Sequence, residues 1–191
     1  MKRIICDVEK CLGCRTCQIA CAVEHSQSKD LSKAIHESPL PGYRVMVEYV
    51  ENMPVPLQCR HCEDAPCVRV CPTHCLEKEQ GGNGVVRAHR EKCIGCTWCV
   101  LVCPFGAVRM RPMDRAIFKC DLCEERQATG KGPACVDACP TKALRYVEVE
   151  EETQDKRRRV IREFLLAQPR AGRLPPFGPA DGAERPTSGA R

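Results

Sequence analysis

The sequence predicts a small α+β fold in which one module of hairpins, loops and short helices is present twice, and three observations carry that expectation. Sixteen of the eighteen cysteines fall into four groups of four: Cys11, Cys14, Cys17 and Cys21; Cys59, Cys62, Cys67 and Cys71; Cys93, Cys96, Cys99 and Cys103; and Cys120, Cys123, Cys135 and Cys139. The chain repeats itself at an offset of 82 residues, which lays "CDVEKCLGC" over "AHREKCIGC" and matches Glu9, Lys10 and Cys11 to Glu91, Lys92 and Cys93. Short segments of alternating apolar character flank the groups, as hairpin strands do around loops and short helices.

Composition says what the thiols are for. Cysteine at this density signals a disulfide scaffold only in a secreted chain. "MKRIICDVEK" opens with basic residues, but Asp7, Glu9 and Lys10 interrupt the apolar segment that a signal peptide needs, and no cleavage site of small residues follows. No apolar run approaches the roughly 18 residues of a membrane helix. A reducing, cytoplasmic setting without membrane insertion is therefore expected, where dense cysteine usage means metal. Aromatics make up only 4% of the 191 residues, thin for a conventional core, so metal clusters are expected to supply the centre of the fold. The formal charge is +5, with basic residues scattered rather than gathered on one surface as a nucleic-acid partner requires. A cubane held by four thiolates carries roughly −2, so four of them more than cancel the surplus. No nucleic-acid partner is expected.

The elements follow in chain order. The strand "RIIC" at 3–6 precedes group one, "CLGCRTCQIAC", whose spacing x2, x2, x3 is the bacterial ferredoxin run for a 4Fe-4S cluster. A tight loop brings three thiolates to three corners of one cubane, and the fourth cysteine, on the following helix, reaches a different cluster. Gly13 lets backbone amides approach sulfur closely, and such hydrogen bonds raise a cluster's potential. From Ala22 to Pro39 the chain is polar, a loop with one helical turn and a candidate partner surface. The strand "YRVMVEYV" at 43–50 leads to group two, spaced x2, x4, x3. Taken alone that spacing suits a structural zinc site equally well. Its closing "CP", shared with group three, and the habit of such sites to come in pairs favour a cluster.

In the second half, "GVVRA" at 84–88 precedes group three, "CIGCTWCVLVCP", which repeats the first spacing with Gly95 in the place of Gly13. "AVRM" at 107–110 leads to group four, spaced x2, x11, x3, again compatible with zinc when seen alone and again closing in "CP". "ALRYVEV" at 143–149 ends the cysteine-bearing part. Residues 150–168 read as one amphipathic helix, acidic early, with a stripe at Val160, Ile161, Phe164 and Leu165 and a stop before Pro169. Nine of the last 23 residues are Pro or Gly, so a disordered tail is expected over 169–191.

Two cysteines are surplus. Aligning the three "CP" ends gives "CPTHCL", "CPFGAV" and "CPTKAL", with Cys75 opposite Ala107 and Ala143; at the offset of 82, Cys6 falls opposite Ala88. A cysteine standing in for alanine is a small buried residue, not a ligand. Arg15, Arg60 and Trp98 cover the surface or tune a cluster. The five histidines have no paired spacing and receive no metal role.

The order of the groups and the phrases "CRHCEDAPCVRVCP", "CPFGA", "KCDLC" and "ACVDACPTKAL" resemble the four-cluster iron-sulfur subunits of dimethyl sulfoxide reductase type enzymes, formate dehydrogenases and hydrogenases, over about residues 1–149. The opening "CLGCRTCQIACAVEHSQSKDL" looks most like the electron-transfer protein of nickel carbon monoxide dehydrogenases. The resemblance implies nested ferredoxin-like modules, the outer from groups 11–21 and 120–139, the inner from 59–71 and 93–103, with exchanged ligands. Cys11, Cys14 and Cys17 then share a cluster with Cys139, and Cys120, Cys123 and Cys135 with Cys21. Cys59, Cys62 and Cys67 share one with Cys103, and Cys93, Cys96 and Cys99 with Cys71. Spacing alone equally allows group one to pair with group two. Ala22, where the ferredoxin run has a proline, departs from the pattern without touching a ligand.

No nucleophile, nucleotide loop or open metal position beside a general base is present, so an electron carrier rather than a catalyst is expected. Four 4Fe-4S clusters would pass single electrons between a catalytic oxidoreductase, carbon monoxide dehydrogenase by the closest resemblance, and a second redox enzyme. A formate dehydrogenase, aldehyde oxidoreductase or hydrogenase complex is the alternative setting. A zinc-bound interaction module is the alternative of another class.

Overall fold

A computed structural model of the chain describes residues 1–111 and 115–167. Met1–Thr153 form one compact unit, and a second unit begins at Gln154. The first is built on four two-stranded antiparallel hairpins.

One hairpin joins the two ends of the cysteine-bearing region. β1 (Lys2–Cys6) pairs with β8 (Leu144–Glu148), with Cys6 opposite Leu144 and Ile4 opposite Tyr146. Its counterpart in the middle of the sequence is β4 (Leu76–Lys78) with β5 (Val86–Ala88), where Leu76 faces Ala88 and Lys78 faces Val86. At the offset of 82, Cys6 becomes Ala88 and Ile4 becomes Val86. The partners Leu144 and Leu76 each follow the last cysteine of their group at the same distance, so the two hairpins are equivalent. One brings group one to group four, and the other brings group two to group three.

The remaining hairpins are β2 (Met46–Val50) with β3 (Met53–Leu57), and β6 (Arg109–Met110) with β7 (Ile117–Phe118). All five expected strand segments contain a strand; β3, β4 and β7 were not anticipated. Pro54 and Pro56 sit opposite Tyr49 and Val47, tolerated because a two-stranded hairpin has a free edge on either side. The turn residues Glu51 and Asn52 both take positive φ, 49° and 66°, the backbone of a tight two-residue hairpin.

Helices are short: α1 (Thr16–Glu24), α2 (Leu31–Ala34), α3 (Pro66–Arg69), α4 (Trp98–Leu101), α5 (Glu124–Ala128) and α6 (Ala134–Asp137). α2 is the single turn expected in the polar connection, capped by Asp30, which accepts the Lys33 amide at 3.1 Å. α7 (Val149–Ala167) opens with Glu150, Glu151 and Glu152, suited to a helix N-terminus, and Arg145 grips Glu152 through both guanidinium nitrogens at 3.1 and 3.0 Å. Gln168 and the expected tail at 169–191 lie outside the described residues. Among the described residues no helix is long and apolar enough to cross a membrane.

Two apolar cores result. The first gathers Cys17, Cys21, Cys120, Cys135 and Cys139 with Ile4, Leu122 and Leu144, and takes in Cys59. The second gathers Cys67, Cys75 and Cys99 with Leu76, Val86, Val108 and Ile117. No Phe, Tyr or Trp side chain is buried among the described residues. Thiols occupy the interior that rings fill elsewhere.

Candidate metal centres

Each group presents its thiols through a loop with left-handed backbone followed by a short helix. In group one the turn Val8–Lys10 delivers Cys11, then Gly13 (φ +65°) and Arg15 (φ +58°) reverse the chain, and α1 carries the buried Cys17 and Cys21. Group three repeats this with the turn Arg90–Lys92, Gly95 (φ +70°), Thr97 (φ +65°) and the buried Cys99 on α4. A side chain at Gly13 would collide with the Tyr49 hydroxyl, and a Cβ at Gly95 would lie 2.9 Å from the Arg115 carbonyl oxygen. Gly95 requires glycine for conformation and for room, because its obstacle is backbone, whereas at Gly13 the obstacle is the tip of the exposed Tyr49 side chain.

Groups two and four use another loop. His61 (φ +49°) and Leu122 (φ +60°) hold equivalent places within the first pair of cysteines. Their amides donate to Cys59 Sγ at 3.5 Å and Cys120 Sγ at 3.4 Å. Cys67 rides on α3 and Cys135 on α6; α5 fills the longer spacer that distinguishes group four. Cys71 and Cys139 follow α3 and α6. Burial alone would raise both thiols, but hydrogen bonds from the Leu76 backbone and the Thr73 hydroxyl at Cys71, and from the Leu144 backbone and Thr141 hydroxyl at Cys139, hold them below the ordinary thiol value.

Each buried thiol feels thiols of its own group and of another. Burial pushes Cys17 up to about 11, with Cys14, Cys11 and Cys139 adding to it. Burial sends Cys135 well above the ordinary value, reinforced by Cys120, Cys21 and Cys123. Cys67 is raised to about 11 by burial and then by Cys59, Cys103 and Cys62, against the pull of Lys119. Cys99 reaches about 11 through burial and then Cys96, Cys67, Cys71 and Cys93. A thiol raised in this way keeps its proton, whereas metal takes the thiolate, so loading such a site releases protons.

Between Cys11, Cys14 and Cys17 on one side and Cys139 on the other lies a small cavity of about 20 Å³, lined also by Gly13, Val47, Pro56 and Leu144. Four soft sulfur donors around an apolar space, with no imidazole or carboxylate in the lining, fit an iron-sulfur cubane.

Cys75 is 2% exposed and belongs to the same core as Cys99; burial and the neighbouring Cys93 push it up to about 12. Cys6 is raised to about 11 by burial, with Cys11 next. Trp98 and Arg60 are exposed, and Arg15 lies over the Tyr49 ring. Beside Arg15, Ile19, Leu31, Ile35 and Leu40 line an apolar groove that includes part of the polar connection marked as a partner surface.

One charged cluster joins α1 to the group-four loop. His25 Nε2 meets Asp121 Oδ1 at 3.1 Å, its Nδ1 reaches the Cys21 carbonyl at 2.7 Å, and Asp121 also holds Arg44 and accepts the Cys123 amide at 3.0 Å. Burial would lower His25, but the hydrogen bonds to Asp121 and Cys21 outweigh it and raise it to about 10. Burial would raise Asp121, yet His25 and Arg44 hold it well below the carboxylate range. An imidazole protonated on both nitrogens braces α1 against the group-four loop and offers no lone pair to a metal. No periodicity marks these residues in the sequence.

Residues 50–149 match the 4Fe-4S dicluster domain family. The chain is 44% identical over 151 residues to the putative electron transport protein YsaA of Escherichia coli K12, covering 78% of this chain and 90% of that one. It is 40% identical over 179 residues to the electron transport protein HydN of the same organism, covering 84% and 98%. It is 36% identical over 146 residues to the thiosulfate reductase electron transfer subunit PhsB of Salmonella typhi, covering 76% and 74%. With thiols in ferredoxin spacing and relatives named for electron transport, the chain belongs to the 4Fe-4S dicluster domain family and is an electron-transfer iron-sulfur protein, not itself a catalyst.

Proposed function

We propose that the chain is a relay for four 4Fe-4S clusters with crossed ligand sets: Cys11, Cys14, Cys17 and Cys139; Cys120, Cys123, Cys135 and Cys21; Cys59, Cys62, Cys67 and Cys103; and Cys93, Cys96, Cys99 and Cys71. The observation that carries this reading is the pairing of the two equivalent hairpins, β1 with β8 and β4 with β5, which bring group one to group four and group two to group three and leave Cys11, Cys14, Cys17 and Cys139 around one space. When bound, each cluster takes up and gives back one electron at a potential set by charge, burial and hydrogen bonds to sulfur.

The chain's own residues divide the labour. At the two end sets, Leu12, Cys14, Ile94 and Trp98 are exposed, which suits electron exchange with other proteins. In the set of Cys120, Cys123, Cys135 and Cys21 every thiol is buried, which excludes water from the middle of the relay. Amides of His61, Leu122 and Arg44 donate to Cys59, Cys120 and Cys21, the last at 3.2 Å, and stabilise negative charge on sulfur.

The partner in this reading is a cytoplasmic catalytic oxidoreductase. The opening stretch favours nickel carbon monoxide dehydrogenase as donor; the kinship to a thiosulfate reductase subunit favours a different reductase or dehydrogenase complex, such as a formate, aldehyde or hydrogen enzyme. Rates of cluster reduction by candidate donors at matched concentrations decide between them. Rapid bleaching by the carbon monoxide enzyme under its gas, and none by the gas alone, is the expected result. Rapid reduction by a formate or aldehyde enzyme with none by the carbon monoxide enzyme would replace the donor and leave the relay standing.

A further inference from the structure

The repeat allows equivalent positions to be compared, and at one of them the charge differs. An offset of 61 residues lays Gln58, Cys59 and Cys62 over Lys119, Cys120 and Cys123. Gln58 is 2% exposed and donates from Nε2 to the Ile4 carbonyl in β1 at 3.2 Å. Lys119 is 3% exposed and donates from Nζ to the Val86 carbonyl in β5 and to the Cys120 carbonyl at 2.8 Å. Ile4 and Val86 are themselves equivalent at the offset of 82. The same fold position therefore holds a neutral amide in one half and a cation in the other.

A buried cation bound only to carbonyl oxygens is costly unless negative charge lies near it. Among the described residues Lys119 forms no ion pair with a carboxylate. Its Nζ instead holds the carbonyl of Cys120, in one proposed ligand set, and that of Val86, whose amide is bonded by His61 between Cys59 and Cys62 of the other set. Its neighbour His61, 1% exposed, accepts the Val86 amide on Nδ1 at 3.0 Å, so the ring is neutral with its proton on Nε2, which has no partner among the described residues. Lys119 therefore faces no second full charge from that ring.

We infer that Lys119 is the counter-charge of the two central clusters, those of Cys59, Cys62, Cys67 and Cys103 and of Cys120, Cys123, Cys135 and Cys21, and raises the reduction potential of both. The inference rests on the four-cluster reading. Reduction takes such a site from roughly −2 to −3, so a nearby buried cation stabilises the reduced form, and the low dielectric of the interior strengthens the effect. Gln58 adds no charge at the equivalent position, while Arg3, which donates to the His61 carbonyl at 3.1 Å, and the protonated His25 beside Cys21 supply charge that Lys119→Gln leaves in place. The electron's stay in the middle of the relay is thereby favoured over its stay at the ends.

Redox titration of the loaded full-length protein, followed by electron paramagnetic resonance, tests this. Lys119→Gln installs the residue that the equivalent position already accommodates. Iron content should stay at the wild-type level while two of four potentials move negative and two stay. Lys119→Arg should restore the wild-type values, and Gln58→Lys should move the same two clusters in the positive direction. Full iron content with no shift in Lys119→Gln, or an equal shift of all four clusters, would overturn the inference. Loss of iron in Lys119→Gln would also overturn it, because the lysine would then be a folding residue. A wild-type iron content of two clusters instead of four would sink the four-cluster reading before any variant is compared.

Discussion

Cys75 and Cys6 sit beside cluster-forming thiols without being counted among them, and their places in the repeat set them apart. Burial raises both, as it raises the ligand thiols Cys17 and Cys99, but alanine stands at the equivalent positions, Ala107 and Ala143 for Cys75 and Ala88 for Cys6. Cys6→Ala and Cys75→Ala, singly or together, should therefore keep full iron content, with about 1 kcal/mol of stability lost at the buried Cys75. Iron loss from Cys75→Ala with Cys71→Ala harmless would reverse the assignment. Gly95 makes the opposite case. Gly95→Ala must accept left-handed backbone at a cost of about 1–2 kcal/mol and a contact with the Arg115 carbonyl, so iron should be lost from the group-three site. Gly81→Ala, also at positive φ but in open space, is the control and should retain all its iron. The alignment that made Cys75 surplus was legible in the sequence, because alanine stands at both equivalent positions. The brace of His25, Asp121 and Arg44 was not, because its partners are 96 and 77 residues apart and follow no period.

Among the elements, the hairpins decide which groups meet. β1 with β8 brings group one to group four, and β4 with β5 brings group two to group three. Spacing left open whether group one pairs with group two, since ligand counts are the same either way; the long-range strand register is information that local pattern does not hold. The same gap explains the strands that went unanticipated: β7 has two residues and β4 three, and β3 carries two prolines on a free edge. If the crossed sets are right, Cys139→Ser should perturb the same electron paramagnetic resonance signal as Cys14→Ser, and Cys21→Ser the same one as Cys123→Ser. A common signal for Cys21→Ser and Cys14→Ser would mean that each group keeps its own cluster.

For the whole molecule, the thiols stand where a larger aromatic core would otherwise be needed. Cysteines are the commonest residue in both cores and no Phe, Tyr or Trp side chain is buried among the described residues, so the fold depends on what the cysteines hold. This much followed from composition: 18 cysteines with 4% aromatics left little else to build an interior from. The partner did not follow, because recognition depends on surface detail that no spacing rule encodes. The central claim is that all four groups hold 4Fe-4S clusters and none holds zinc. Metal and acid-labile sulfide analysis of anaerobically purified protein tests it most directly. The account predicts about 16 iron and about 16 sulfide per chain and no stoichiometric zinc. About eight iron, with zinc in the remaining sites, would contradict it and leave only groups one and three as iron-sulfur centres.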